Sequence, residues 1–309
     1  MASTILYKTV IMLVLIAVGI LCSKTKLISE ASNKDLSKFV LQVVNPVVIF
    51  MSYQTDYRKE LVRNLLLTFV ISIGAIVLAV VLAYVFVRKK QGREFEIERF
   101  SATYSNCGFM GIPLVNAVYG DVGVFYLTAF ITVFNIFVWT HGVILISGEK
   151  NFKQVVKVFY SPTIIAIVLG IITFFLRLRL PAPAAETLGL IKELNTPLAM
   201  LVSGVTIAGT NVMKMLKNYR VYYVCLLKLL IIPLIIAVPL ALMTGVDEKV
   251  RMTVLVAAAA PPAAICTLFS LRYGKNSIYA SEIFAAGTIL SVGTLPLVVK
   301  ATEYLTKIL

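Results

Sequence analysis

The sequence predicts an all-α polytopic membrane protein: ten transmembrane helices arranged as two inverted five-helix repeats, with helices 4 and 9 broken. Three observations carry this. Of 309 residues, 59% are hydrophobic and the mean hydropathy is +0.92, well above a globular composition of about 45–50% apolar residues. An apolar segment interrupted near its middle by Gly and Pro occurs twice, at 99–113 running on to Tyr119-Gly120, and at 251–262 running on to Tyr273-Gly274. Five spans per half is an odd number, so the second half must enter the bilayer from the opposite face.

A bilayer core about 30 Å thick asks for about 20 apolar residues per helix. The first repeat, 1–146, supplies spans at 4–22, 36–54, 61–87, 98–119 and 122–146; the second, 147–309, supplies 156–176, 188–210, 219–243, 250–272 and 277–301. The opening run could pass for a signal peptide, but Lys8 and the lack of a small-x-small cleavage site favour a retained helix. Span 2 carries Asn45-Pro46 about ten residues in, and span 7 carries Asn195-Thr-Pro197 at a matching place. The broken spans 4 and 9 follow the same logic, each ending in Tyr-Gly before the last helix of its half.

The net charge of +14 raises nucleic acid as a partner, which the placement of the charge excludes. Lys and Arg sit in connections between apolar runs, with no aromatic-interleaved basic face to read bases. Counting cations that flank the spans gives 17 on the side of connections 1–2, 3–4, 5–6, 7–8 and 9–10 and 11 on the other. The positive-inside rule then puts the protein in the cell membrane with both termini outside the cytoplasm. Cys22, Cys107, Cys225 and Cys266 lack metal-ligand spacing and read as small buried side chains. Enzyme motifs, a cofactor site and a metal site are not expected.

A helix that unwinds inside lipid leaves backbone groups without partners, so the breaks mark places where those groups meet a ligand or line a cavity. Around the first break Asn106 offers a neutral hydrogen-bonding side chain and Gly108 a permissive backbone. Pro113 is expected to open a new half-helix whose positive end suits an anion. Pro261 and Pro262 do the same from the opposite direction, without a side chain equivalent to Asn106. Lys228 lies about ten residues into span 8, with no acidic residue expected at similar depth; Glu193 and Glu282 intrude furthest. An intramembrane cation is by default a functional residue; the competing reading has it snorkelling, or bonded to backbone carbonyls near a break. Asn45 and Asn135 join the candidate substrate-binding set, with interhelical hydrogen bonding as their bland alternative. Ser203, Thr206 and Thr210 suit close helix packing, His141 a packing role, and Trp139 an interface anchor.

The string Ser105-Asn-Cys-Gly-Phe-Met-Gly-Ile-Pro-Leu114, followed by Tyr119-Gly120 and Gly123, resembles the auxin efflux carrier family, which spans plant exporters and bacterial permeases for malate, malonate and related acids. Pro197-Leu-Ala-Met-Leu-Val-Ser-Gly204 and Lys228-Leu-Leu-Ile-Ile-Pro233 resemble its spans 7 and 8, and Thr288, Ser291, Thr294 and Pro296 its last helix. The likeness implies that the broken helices 4 and 9 cross at their breaks, with a scaffold of helices 1, 2, 6 and 7 and a transport domain of helices 3–5 and 8–10 that moves as an elevator. It also carries crossover roles onto Asn106, Gly108, Pro113, Pro261 and Pro262. The connection after span 5 is short, which is similar to the compact microbial branch.

The expected function is a secondary transporter of a small mono- or dicarboxylate. The rivals are a sodium-coupled symporter and a passive anion channel. Expected partners are the organic anion and membrane lipid; the oligomeric state stays open, with a homodimer among the options.

Overall fold

The computed structural model describes residues 2–90, 94–148, 160–210 and 212–308, and among these the secondary structure is helical with no strand. In chain order the helices are α1 (Ala2–Lys24), α2 (Glu30–Ser52), α3 (Lys59–Phe86) and α4 (Phe95–Thr103). The long stretch Cys107–Ser147 is two helices, α5 (107–119) and α6 (121–147), which meet at Gly120. Then follow α7 (Pro162–Phe175), α8 (Ala182–Glu193), α9 (Asn195–Ala208) and α10 (Val212–Lys217). The last four are α11 (Tyr219–Leu242), α12 (Glu248–Ala259), α13 (Ile265–Arg272) and α14 (Ser277–Ile308). Among the described residues, six stretches are long and apolar enough to cross a membrane: α1, α2, α3, Cys107–Ser147, α11 and α14.

Helix bounds differ from the apolar runs where polar turns extend a helix. α2 starts at Glu30, six residues before the expected 36, because the Ser29 side chain accepts the Ser32 N–H and caps it. α8 starts at Ala182, after Pro181, and α14 continues to Ile308. α7 begins at Pro162 behind a Ser161 cap; the expected start at 156 lies outside the described residues. Gly120 and Gly274, the two glycines of the repeated Tyr-Gly pairs, both adopt positive φ (60° and 66°), which suits a residue without Cβ.

Three helices widen into π turns just ahead of a proline: Val40–Val44 before Pro46, Cys107–Gly111 before Pro113, and Leu227–Ile231 before Pro233. A proline cannot donate to the carbonyl four residues back and its ring clashes with it. Widening the preceding turn moves that carbonyl aside. The chain therefore passes these prolines without ending the helix.

α1 and α9 pack backbone to backbone. A Cβ on Gly204 would lie 2.1 Å from the Ile16 carbonyl oxygen, and one on Gly19 would lie 2.3 Å from that of Leu201. Close approach through small residues is how helices associate where burying apolar surface against lipid gains little. The outward faces of α1 and α3, with Val14, Leu21, Leu66 and Val70, are exposed and apolar, as a lipid-facing surface requires. Gly204→Val must push the two backbones apart, at a cost of about 1–3 kcal/mol for overpacking. The expected outcome is a lower melting temperature and loss of monodispersity in detergent; a melting curve matching the parent would refute this account of the contact.

Candidate functional site

α4 stops at Thr103 because Tyr104 turns extended (φ −92°, ψ 129°), and Asn106 (φ −78°, ψ 53°) is also non-helical before α5 begins at Cys107. α12 stops at Ala259 because Ala260 precedes a proline and takes φ −57°, ψ 150°. The two breaks lie against each other. The Asn106 N–H donates to Pro261 O at 2.7 Å, and the Ala263 N–H donates to Tyr104 O at 3.0 Å. Ser105 and Pro262 are thus opposed in an isolated antiparallel bridge, as a pair that exchanges no hydrogen bond with each other. The missing N–H of Pro262 therefore leaves no vacancy in the bridge. Its ring packs on α14, where a Cβ on Gly287 would come within 2.4 Å of it.

Opposite helix ends point to opposite sides of this crossing. On one side lie the last turns of α4 and α12, whose carbonyls carry partial negative charge. Lys228 reaches them from the π turn of α11, donating from Nζ to Thr103 O at 3.2 Å and to Ala258 O at 3.0 Å. On the other side, the first turns of α5 and α13 line a cavity of about 460 Å³. There the Asn106 Nδ2 is buried and has no hydrogen-bond partner among the described residues, and Asn106 makes no side-chain cap to α5.

The opposite cavity wall comes from α2 and α9. The Asn195 Nδ2 donates to Asn45 Oδ1 at 2.6 Å, joining the matched Asn-Pro regions of the two halves, and Asn45 Nδ2 lies beside Gly108. Ser203 and Thr206 also face the cavity, and Thr206 accepts a hydrogen bond from Asn33. The mouth carries Glu30, Lys34 and Lys38, with Lys38 paired to Asp35 at 3.0 Å.

Four sequence candidates therefore line one cavity: Asn45, Asn106, Gly108 and Asn135. Asn135 lies on α6 and bonds Ile131 O of its own helix. The other four stand behind or beside it. Pro113 does not start the half-helix, which begins six residues earlier at Cys107; it is accommodated by the π turn. Pro261 and Pro262 shape the bridge, and the cavity wall on that side is Ala263 to Ile265 and onward. Lys228 faces the far side of the crossing, on carbonyls.

Glu98 is the residue the sequence missed. It is 2% exposed and accepts hydrogen bonds from Nε and Nη2 of Arg220 and from the Tyr279 hydroxyl at 3.0 Å. Glu193, expected to intrude, is exposed, while Glu282 is buried. His141 is held between the Tyr104 hydroxyl (2.8 Å) and the Tyr84 hydroxyl (3.2 Å), and Trp139 packs edge-on against Phe269.

A sequence profile of the family described as "Membrane transport protein" matches residues 4–299. "Uncharacterized transporter YfdV" of Escherichia coli K12 is 25% identical over 300 residues, covering 92% of this chain and 93% of that protein. An "Uncharacterized transporter" of Methanothermobacter thermautotrophicus is 27% identical over 297 residues, covering 92% and 94%.

Arg220→Leu strands the Glu98 carboxylate, and removing one partner of a buried pair costs about 3–5 kcal/mol. The variant is expected to melt well below the parent, and adding Glu98→Gln to recover a large part of the loss. Equal melting of the single and double variants would argue against the pair as a joint unit.

Proposed function

The chain belongs to the auxin efflux carrier family of membrane transport proteins, and from that premise we propose that it is a secondary carrier of a small organic anion, a mono- or dicarboxylate. The observation that carries the reading is the buried Asn106 Nδ2, without a partner among the described residues, beside two helix N-termini in a cavity whose deep end is lined by no carboxylate among those residues. Buried donors lacking partners call for an acceptor, and helix N-termini favour that acceptor being anionic. Lys34 at the mouth adds an attractive field for such a ligand.

Counting α4 with α5, α8 with α9 and α12 with α13 as single interrupted spans gives ten crossings, five per half. The matched Tyr-Gly turns and the facing breaks support an inverted repeat with halves 1–146 and 147–309. The cavity lies between α2 and α9 on one side and the crossing on the other. That is the boundary across which a scaffold and a moving transport domain would separate in elevator-type exchange. With the positive-inside orientation the mouth at Lys34 faces the cytoplasm and both termini lie outside.

Asn106→Ala is expected to lower apparent affinity for the transported acid by about tenfold, the scale of one hydrogen bond to a charged group, without changing the melting temperature of the free protein. The substrate is to be found by thermal shift against a panel of carboxylic acids, since a ligand of the folded state raises the melting point. Uptake into proteoliposomes then reads the variant. Flux that fails to saturate would favour a channel, and equal affinity in the variant would remove Asn106 from the site.

A further inference from the structure

Lys228 is 1% exposed, and its nitrogen sits where the C-terminal ends of two separate half-helices converge. Each such end carries about half a negative charge. The two carbonyls are 3.2 and 3.0 Å from Nζ. A third oxygen of the same neighbourhood, Thr103 Oγ1, is buried without a partner among the described residues. Thr103, Tyr104, Ser105, Lys228 and Ala258 also border a residual cavity of about 10 Å³, close to the space one water needs. Among the described residues no carboxylate lies within ion-pair distance of Nζ.

We propose that these oxygens form a monovalent-cation site which the Lys228 ammonium fills from within the chain. Converging carbonyls, a hydroxyl oxygen and room for a water are neutral oxygen donors of the kind that replace the hydration shell of a monovalent cation. Two facing negative ends would repel each other across a low-dielectric crossing unless a cation stood between them. A neutral donor would supply the hydrogen bonds at a smaller desolvation cost than a lysine, so charge is what this side chain adds. The long stem brings that charge from α11, beside Ala75, Ala79, Ile232 and Ile236. As a permanent part of the protein, it replaces a cation that would otherwise have to bind and travel with the substrate. On the carrier reading above, the anion then crosses without a sodium partner and its movement carries net negative charge. The cation site itself does not depend on that reading.

Truncation separates the ideas. Lys228→Ala vacates the site and the stem's path; Lys228→Met fills the path and leaves no room for an ion. Melting temperatures are to be measured in detergent without substrate, in choline, sodium, potassium and ammonium chlorides at equal ionic strength. The parent should melt alike in all four. Lys228→Ala should melt several degrees lower in choline and recover at least half of the loss in one of the small cations, while Lys228→Met stays low throughout. Equal melting of Lys228→Ala in choline and in every small cation would overturn the proposal and leave a plain helix cap. Should both variants fail to fold, the parent decides: uptake that stops when choline replaces sodium and potassium on both sides of the vesicle would overturn it, and unchanged uptake would support it. Absence of uptake for every acid tested would instead sink the carrier reading, with the melting contrast still standing.

Discussion

Everything at the centre of this protein depends on satisfying backbone groups where two helices come undone. In lipid a free N–H or C=O costs several kcal/mol, so neither break could persist alone. Each supplies what the other lacks: the Asn106 N–H has the Pro261 carbonyl, and the Ala263 N–H has the Tyr104 carbonyl. Two hydrogen bonds of strand type, in an otherwise helical chain, hold open the space in which a polar ligand can meet helix ends. The tandem proline is compatible with this because the opposed pair Ser105 and Pro262 needs no donor from either member.

The crossing also sorts charge. Negative helix ends are gathered on the Lys228 side and positive ends on the cavity side. Lysine and ligand would thus occupy opposite poles of one arrangement, and an anion in the cavity would not compete with the carbonyls for the ammonium. The depth of Lys228 suggests direct contact with substrate; its hydrogen bonds give it a different office.

The sequence made the breaks legible because proline and glycine act through rules that hold whatever surrounds them. It also made Asn45, Asn106, Gly108 and Asn135 legible, as polar or permissive points in apolar runs. Direction was beyond it. Hydropathy places Lys228 deep but does not say which way a four-carbon stem points. The π turns that rotate Pro46, Pro113 and Pro233 relative to an ideal helix shift the register from which a face would be read. Glu98 escaped for another reason. As the first residue of the expected span 98–119, beside Glu94, Glu96 and Arg99, it reads as a charge at a span end, and its contact with Arg220, 122 residues away, makes it interior. The start of α2 was hidden in the same way, since Glu30 to Lys38 is polar and its helix is announced by a cap and not by apolarity.

The glycine contact between α1 and α9 has its own mechanical meaning. With main chains meshed at Gly19 and Gly204, a slip of one residue, about 1.5 Å along the axis, would drive a side chain into a carbonyl. The two helices therefore behave as a single rail with no axial play. Ser203, next to that weld, lines the cavity; in the proposed carrier it would belong to the wall that stays put, and cargo resting against it would leave only as the facing elements glide past.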